Sequence, residues 1–571
     1  MSTSFLTNLE SCTPIFTREK LSPEHLEIAT LVREFATEQV QPRRSEIDAF
    51  NRDLTLSLLQ ESAELGLLSA EIPEIYGGLG MDKTTGILLS ETLAFSRCAS
   101  FVVTLGVQVG IGMLPILYFG SEAQKKHYLP GIGAGTTMGA YCLTEPGAGS
   151  DALNIKTRAD KLPDEEGWSL NGTKQFITNA GFADLFIVYA KVDGKHNTAF
   201  LVDRNLEGVT VGEEEKKMGL KGSSTASVTF ENVRLPLDST LGEIGHGHEI
   251  AFNILNFGRY KLGAMDLGMC KAVMEDTLTY AAERQQFGEP ILNFSAIRRK
   301  LARDYVQVYG LDSIVYRTIG EMEERIRADL SPQELVAASE EFAVQTSMVK
   351  IYGSETLALV ADDGVQIHGG YGFIEEYSVA AIYRDTRVDR IFEGTNEINR
   401  QIITGYIMKD TLMEQLAVRD TLKSGRESAP EGLSSELSSF GSALNSMKLL
   451  ALQLFKEALT FAGQDLRHHN HLAEDLADIF TQIYIFDSTL LRINQGEIAP
   501  YQRILLQLIA LDTRDLLRRC ATPLLTYCEA PANLVSQITE RLSALELDEN
   551  RYAGELELAA DLIANRKERL S

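Results

Sequence analysis

The chain has 571 residues, 44% hydrophobic and 23% charged. That is the composition of a soluble globular protein large enough for roughly two to four structural units. A formal net charge of −26 sets it against nucleic acid and anionic membrane surfaces, and excludes functions that need a basic face. The six cysteines, at 12, 98, 142, 270, 520 and 528, show no CxxC spacing, so reduced thiols and no metal centre are expected.

The opening "MSTSFLTNLESCTPIFTREK" has neither the basic-then-apolar pattern of a signal peptide nor an Arg-rich, acid-poor leader. An uninterrupted apolar run of about 18 residues is not found, so no membrane span and a cytoplasmic location are expected. In "LSPEHLEIATLVREFATEQVQP", Ser22 is placed to cap a helix and Pro23 to occupy its first turn. Ile28, Leu31, Val32 and Phe35 repeat at helical spacing, and Pro42 is expected to end the helix. Helical segments continue to about Tyr128, divided by "PEIYGGLG" and "FGSEAQ".

Near residue 140 the texture changes to short apolar runs between turns. Asn171-Gly172 reads as a hairpin turn, and "STASVTFENVRLP" alternates at Ala226, Val228 and Phe230. Long helical patterns return from about 245. "SGRESAPEGLSSELSSFGS" reads as a linker or mobile loop, followed by further helices. The expected class is α+β, mainly α. A helical domain (1–138) precedes a middle β-barrel (139–242). A helical bundle of four-helix type (243–405), a linker (406–440) and an extra helical domain (441–571) follow.

Four stretches carry candidate chemistry. "YCLTEPGAGSD" (141–151) offers glycines for close backbone approach and hydroxyls at Thr144 and Ser150, and reads as a turn or a cofactor cradle. "RQQFG" (284–288) ends a helix with a cation that could complement the helix dipole or meet a phosphate. "QIHGGYGF" (366–373) reads as a helix C-cap or as glycine backbone against a ligand, with His368 structural. "RIFEGTNEI" (390–398) sets Glu393 between an aromatic and a glycine just before a helix. "HHNH" (468–471) has no cysteines at ligand spacing and reads as a polar helix surface.

Taken in order with "NGTKQFITNAG", "KMGLKGSSTASVTFENVRLP" and "ERQQFGEPI", these motifs resemble the acyl-CoA dehydrogenase family of flavoproteins over about residues 20–405. "ILNFGRYKLGA", "QFGEPILNFSAIRRKLARD" and the long C-terminal region are similar to its very-long-chain branch, whose members are homodimers. The resemblance implies FAD-dependent conversion of an acyl-CoA, of long chain by branch, to its trans-2-enoyl form, as in fatty acid β-oxidation. It implies an electron-transfer flavoprotein as acceptor. An α-proton beside a thioester is weakly acidic, so the reaction needs a positioned base whose pKa burial raises.

By the same resemblance, Glu393 is that base. The following helix N-terminus should lower its pKa and burial in the complex should raise it, with burial expected to win. Some relatives carry the base on a helix, at the position matching Gly258; glycine there leaves Glu393 as the base and widens the pocket for a long chain. Tyr141, Leu143, Thr144, Gly149, Ser150, Phe176 and Thr178 match residues along the flavin, Ser150 nearer the CoA. Most relatives have Trp where Phe176 stands, so an oxidase-like enzyme using oxygen is an alternative. Arg284, Phe287, Gln366 and Gly370 match FAD contacts made across a dimer, and Thr395 and Glu397 match flavin-side residues. Asn256, Arg259, Phe392, Gly394 and Arg400 match substrate contacts. A third reading is a scaffold or assembly factor, against which the retained Glu393 speaks.

Overall fold

The computed structural model describes residues 2–163, 166–327, 330–545, 547 and 550–570. The chain is mainly helical. Its first unit contains α1 (Pro23–Phe35), α2 (Arg52–Glu64), α3 (Lys83–Leu93), α4 (Ala99–Val109), α5 (Leu114–Phe119) and α6 (Glu122–Gly133). Ser22 caps α1 as expected, its hydroxyl accepting from the His25 amide. Pro42 does not end the helical path: a wide turn over Ala36–Val40 and a tight one over Gln41–Arg43 carry it into Arg44–Asp48. Proline is tolerated there because it opens a turn, where an amide would have no helical partner. The stretch Ala99–Phe119 is long and apolar enough to span a membrane, contrary to the sequence expectation, but 83% of its apolar window is buried inside the protein. It forms core helices α4 and α5.

The middle unit is an eight-stranded sheet. Its strands are β1 (Gly139–Cys142), β2 (Arg158–Lys161), β3 (Gly167–Thr178), β4 (Leu185–Val192), β5 (His196–Asp203), β6 (Val209–Glu214), β7 (Thr225–Pro236) and β8 (Thr240–Leu241). The order is β6-β7-β3-β2-β4-β5-β8, with β1 and β2 both pairing parallel to β4 and the other pairs antiparallel. The ladder does not close, so the expected barrel is an open, curled sheet. Its curl is visible in side chains three strands apart. Phe186 of β4 lies 6.5 Å from Phe230 of β7, and Trp168 of β3 lies 5.9 Å from Phe200 of β5. A flat sheet would hold such strands about 14 Å apart. Ala226, Val228 and Phe230 face this core as their alternation predicted.

Asn171-Gly172 is not a hairpin. Both residues lie inside β3, where the register with β7 shifts between Leu170 and Gly172. A Cβ on Gly172 would stand 2.4 Å from Thr157 Oγ1, so the glycine serves a bulge and a close backbone approach.

Helices resume with α7 (Gly247–Glu283), α8 (Ser295–Arg325), α9 (Pro332–Glu340), α10 (Ala343–His368), α11 (Ser378–Asp385) and α12 (Asn396–Leu412). α12 runs through the boundary expected at residue 405. The expected linker is also tied down: it contains α13 (Val418–Ser424), and Glu431 exchanges backbone hydrogen bonds with Glu10 and Cys12. α14 (Ser438–Ala462), α15 (Asn470–Ile493), α16 (Pro500–Tyr527), α17 (Ala532–Ser543), α18 (Arg551–Ala564) and the short α19 (Arg566–Leu570) follow and share one apolar core with α7, α8 and α10. Buried charge locks the units together. Asp312 of α8 receives Arg18 at 2.7 Å, Lys271 of α7 at 2.9 Å and Arg492 of α15 at 2.9 Å. Those cations hold its carboxyl well below the usual range against the effect of burial.

Candidate active site

Glu393 sits in the turn between α11 and α12. Its φ is 55° and that of Gly394 is 80°, two successive left-handed residues. For a glutamate this conformation costs on the order of 1–3 kcal/mol, so its surroundings must enforce it. They do so through the carbonyls. Arg259 Nε of α7 donates to Glu393 O at 3.2 Å. Asn399 Nδ2 donates to the carbonyls of Gly394 (2.8 Å) and Thr395 (3.1 Å), and Lys350 Nζ of α10 to Gly394 O (2.8 Å). Thr395, rather than Glu393, caps α12: its hydroxyl accepts from the Ile398 amide at 3.3 Å.

The turn sends the Glu393 carboxylate onto α7 at Gly258. A Cβ built on Gly258 would lie 2.6 Å from Oε2 and 2.9 Å from Cδ, closer than real atoms stand. Residues 258 and 393 therefore compete for one space. Oε2 is enclosed and has no hydrogen-bond partner. Burial pushes the carboxyl up to about 7, against the pull of Arg259 and Lys350. Burial thus outweighs the opposing effects before any substrate arrives, and the opposition comes from two cations, not from the helix terminus. Arg259 is itself buried and lowered to about 10 by desolvation, with Nη1 on Asn256 Oδ1 at 2.8 Å. Phe392 and Gly394 flank the carboxylate on a partly exposed surface.

The β-sheet face lies on the other side of Tyr141. Its hydroxyl donates to Ala251 O of α7 at 3.2 Å, and its titration feels both Glu393 and Arg259. The strand then turns through Leu143 and Thr144, whose carbonyls accept from Lys174 Nζ (3.1 Å) and the Gln175 amide (2.9 Å) of β3. Phe176 follows in left-handed conformation (φ 58°) at the second register shift of β3, with 59% of its surface exposed. The fixed strand thus presents an aromatic face outward, beside half-buried Thr178. Beneath it Lys174, fully buried, pairs with Glu145 at 2.8 Å, and Glu145 also accepts from the amides of Lys156 and Thr157. This buried pair fixes the turn carrying Gly149 and Ser150, both exposed. A Cβ on Gly147 or Gly149 would meet nothing within 4 Å, leaving open space above the turn.

A second exposed edge gathers Arg284, Phe287, Gln366 and Gly370. Arg284 lies over the Tyr371 ring at 5.6 Å, and Phe287 is 95% exposed. Of the four, Arg284 lines a cleft of about 840 Å³ together with Arg44, Arg97 and Tyr280. His368 packs as a structural residue, its Nδ1 2.7 Å from Gly364 O and its ring stacked on Tyr280. Glu397 is exposed in the first turn of α12, its carboxyl lowered by its own backbone amide and the Thr395 hydroxyl. Arg400 turns away from the carboxylate: it binds Asp478 of α15 at 2.7 Å and Glu355 of α10 at 2.9 Å.

Family models for the N-terminal, middle and C-terminal domains of acyl-CoA dehydrogenase match residues 22–136, 140–233 and 245–408. The chain belongs to the acyl-CoA dehydrogenase family. It is 43% identical over 490 residues to a probable acyl-CoA dehydrogenase of Bacillus subtilis, covering 84% of this chain and 82% of that one. A crystal structure of an acyl-CoA dehydrogenase complexed with FAD from Bacillus anthracis superposes with a TM-score of 0.93 at 38% identity, covering 98% of both chains. The human very long-chain specific acyl-CoA dehydrogenase, a mitochondrial protein, is 37% identical over 387 residues, covering 65% of this chain and 57% of that protein.

This acyl-CoA dehydrogenase also uses residues that sequence reasoning missed: Lys174 with Glu145 under the cradle, and Lys350, Asn396 and Asn399 behind the glutamate. Lys350 carried a signal, being the lone charge between Ala343 and Ser354 in a helix of apolar and small residues. Asn396 and Asn399, three apart after the cap, share a helix face turned inward.

Proposed function

We propose that this protein oxidises long-chain acyl-CoA thioesters to trans-2-enoyl-CoA, with Glu393 taking the α-proton. One observation carries the assignment: a carboxylate held near neutral pKa by burial, with an unpartnered oxygen, aimed by an otherwise unfavourable turn at a space kept empty by Gly258. A base poised near 7 is matched to proton abstraction at neutral pH. Family membership supplies the reaction class.

FAD fits the exposed Phe176 face and the open turn below it. When bound, FAD accepts the β-hydrogen as hydride. Tyr141, Leu143, Thr144, Gly149, Ser150, Phe176 and Thr178 would hold its flavin side together with Thr395 and Glu397. Arg284, Phe287, Gln366 and Gly370 would meet the cofactor of a second copy in a homodimer, a use that accounts for an aromatic as exposed as Phe287. Asn256, Arg259, Phe392 and Gly394 surround the substrate end. An electron-transfer flavoprotein is the proposed acceptor.

The experiment is an anaerobic titration of the FAD-loaded protein with acyl-CoAs of increasing length, following bleaching of the flavin band. Bleaching that strengthens toward long saturated chains and vanishes in Glu393→Gln is expected. Near-native bleaching in Glu393→Gln would reject the base. Stoichiometric peroxide in air, without need of another acceptor, would instead favour the oxidase reading that the exposed Phe176 permits.

A further inference from the structure

We infer that Lys350 is a positioning residue for the proton-abstraction step, holding the turn that aims Glu393 and setting the proton affinity of its carboxylate. The inference rests on Glu393 being the base. Lys350 is fully buried on α10, and its Nζ has two short contacts, Gly394 O at 2.8 Å and Asn396 Oδ1 at 2.7 Å. The first grips the carbonyl of the second left-handed residue. The second anchors the first residue of α12, and Asn396 Nδ2 passes the anchorage on to Ser354 Oγ (3.1 Å) and Glu355 Oε1 (3.0 Å). One ammonium therefore ties the turn to α10 at its centre.

A buried ammonium needs counter-charge, and the structure supplies it in tempered form. Asp266 of α7 and Asp389 of the segment before the turn lie beside Lys350, both buried. Burial pushes the Asp266 carboxyl up to about 8, with Lys350 opposing. Asp389 is raised by burial and by Asp266. Burial thus favours the neutral form of both carboxyls, which weakens the counter-charge they offer the lysine. Lys350 itself is lowered to about 8 by burial. The charges facing Glu393 are therefore Arg259 from α7 and Lys350 from α10, with Tyr141 of β1 near both Glu393 and Arg259 and Tyr406 of α12 near Arg259. Both cations favour the carboxylate form. Without Lys350, Glu393 would hold its proton to higher pH and its turn would lose one of its three clamps.

The test compares Lys350→Met and Lys350→Gln with wild type, using kcat/KM against pH and solvent-deuterium wash-in at the substrate α-carbon without an electron acceptor. FAD content and thermal unfolding are measured on the same samples. Lys350→Met is expected to move the acid limb of the kcat/KM profile up by at least half a pH unit. It should also lower kcat and wash-in about tenfold or more, with KM changed less than threefold. Lys350→Gln keeps a donor for Gly394 O without the charge; it should share the shifted limb but lose less of kcat. An unshifted limb in both variants would overturn the inference, as would failure of both to fold, which would make Lys350 a folding determinant. Glu393→Gln separates the two layers. Wash-in surviving in that variant refutes the base, whereas wash-in lost there with Lys350→Met unaltered refutes only the role of Lys350.

Discussion

Gly258→Ala adds one methyl group and should nearly silence the enzyme while leaving it folded. The ideal Cβ lies 2.6 Å from Glu393 Oε2 and 2.9 Å from Cδ. An ordinary carbon–oxygen contact needs about 3.3 Å, so one of the two must move by roughly 0.7 Å. α7 cannot easily yield, since residues on both sides of position 258 are buried in the core. The carboxylate moves instead, and it is the side with a partly exposed turn behind it. A misplacement of about 1 Å can cost about 100-fold in rate. The expected outcome is a loss of roughly that size in kcat, with FAD content and thermal midpoint close to wild type. Stopped-flow bleaching with a long acyl-CoA measures it directly. A complementary change, Gly258→Glu with Glu393→Gly, should recover part of the rate, because a side chain from 258 enters the same space. Full activity in Gly258→Ala would show that the carboxylate works from another position, and the contact would lose its meaning.

Three further outcomes follow from the charges. Breaking the buried Lys174–Glu145 pair with Lys174→Met leaves Glu145 without its cation and should cost about 3–5 kcal/mol in urea unfolding, together with loss of FAD retention through the turn it fixes. Asp385, pushed up to about 7 by burial with Asp48 adding, binds its proton more tightly folded than unfolded. Stability should therefore fall as pH rises from about 4 to about 7, by up to ~4 kcal/mol from this group, and level off above. Asp385→Asn, which can still accept from the Leu220 amide, should flatten that fall; an unchanged slope in urea titrations at pH 5 and 8 would reject it. Arg400→Gln should lower the thermal midpoint through its lost ties to Glu355 and Asp478 while raising KM for acyl-CoA less than threefold. A tenfold rise would return Arg400 to the substrate.

The order of units was legible because each has its own hydrophobic period: 3.6 along α1 and the long bundle helices, 2 along β7. What misled was punctuation. Asn171-Gly172 carries the strongest short hairpin signal in the sequence, yet the glycine answers to Thr157 just before β2, a contact that no local rule contains. The Ser- and Glu-rich stretch before α14 reads as a linker on composition. Its order comes from Glu10 and Cys12, more than 400 residues away in sequence. The apolar stretch at Ala99–Phe119 shows the same limit from the other side, since composition does not say whether lipid or protein covers it.

The site was legible to the extent that its chemistry resides in the motif itself. Glu393, Gly258 and Arg259 meet in the structure, and the reason for their meeting is steric and lay outside any motif. The glutamate needs a left-handed turn, the turn needs three carbonyl clamps, and the clamps come from α7, α10 and α12. Only the α12 clamp, Asn399, is close in sequence. Arg400 is the instructive case. A cation one turn beyond the cap matches a substrate contact by position. In this chain α15 supplies Asp478 at 2.7 Å, a partner that spacing within the motif does not announce. The C-terminal helices thus set part of the charge behind the Glu393 turn, which the motifs alone do not describe.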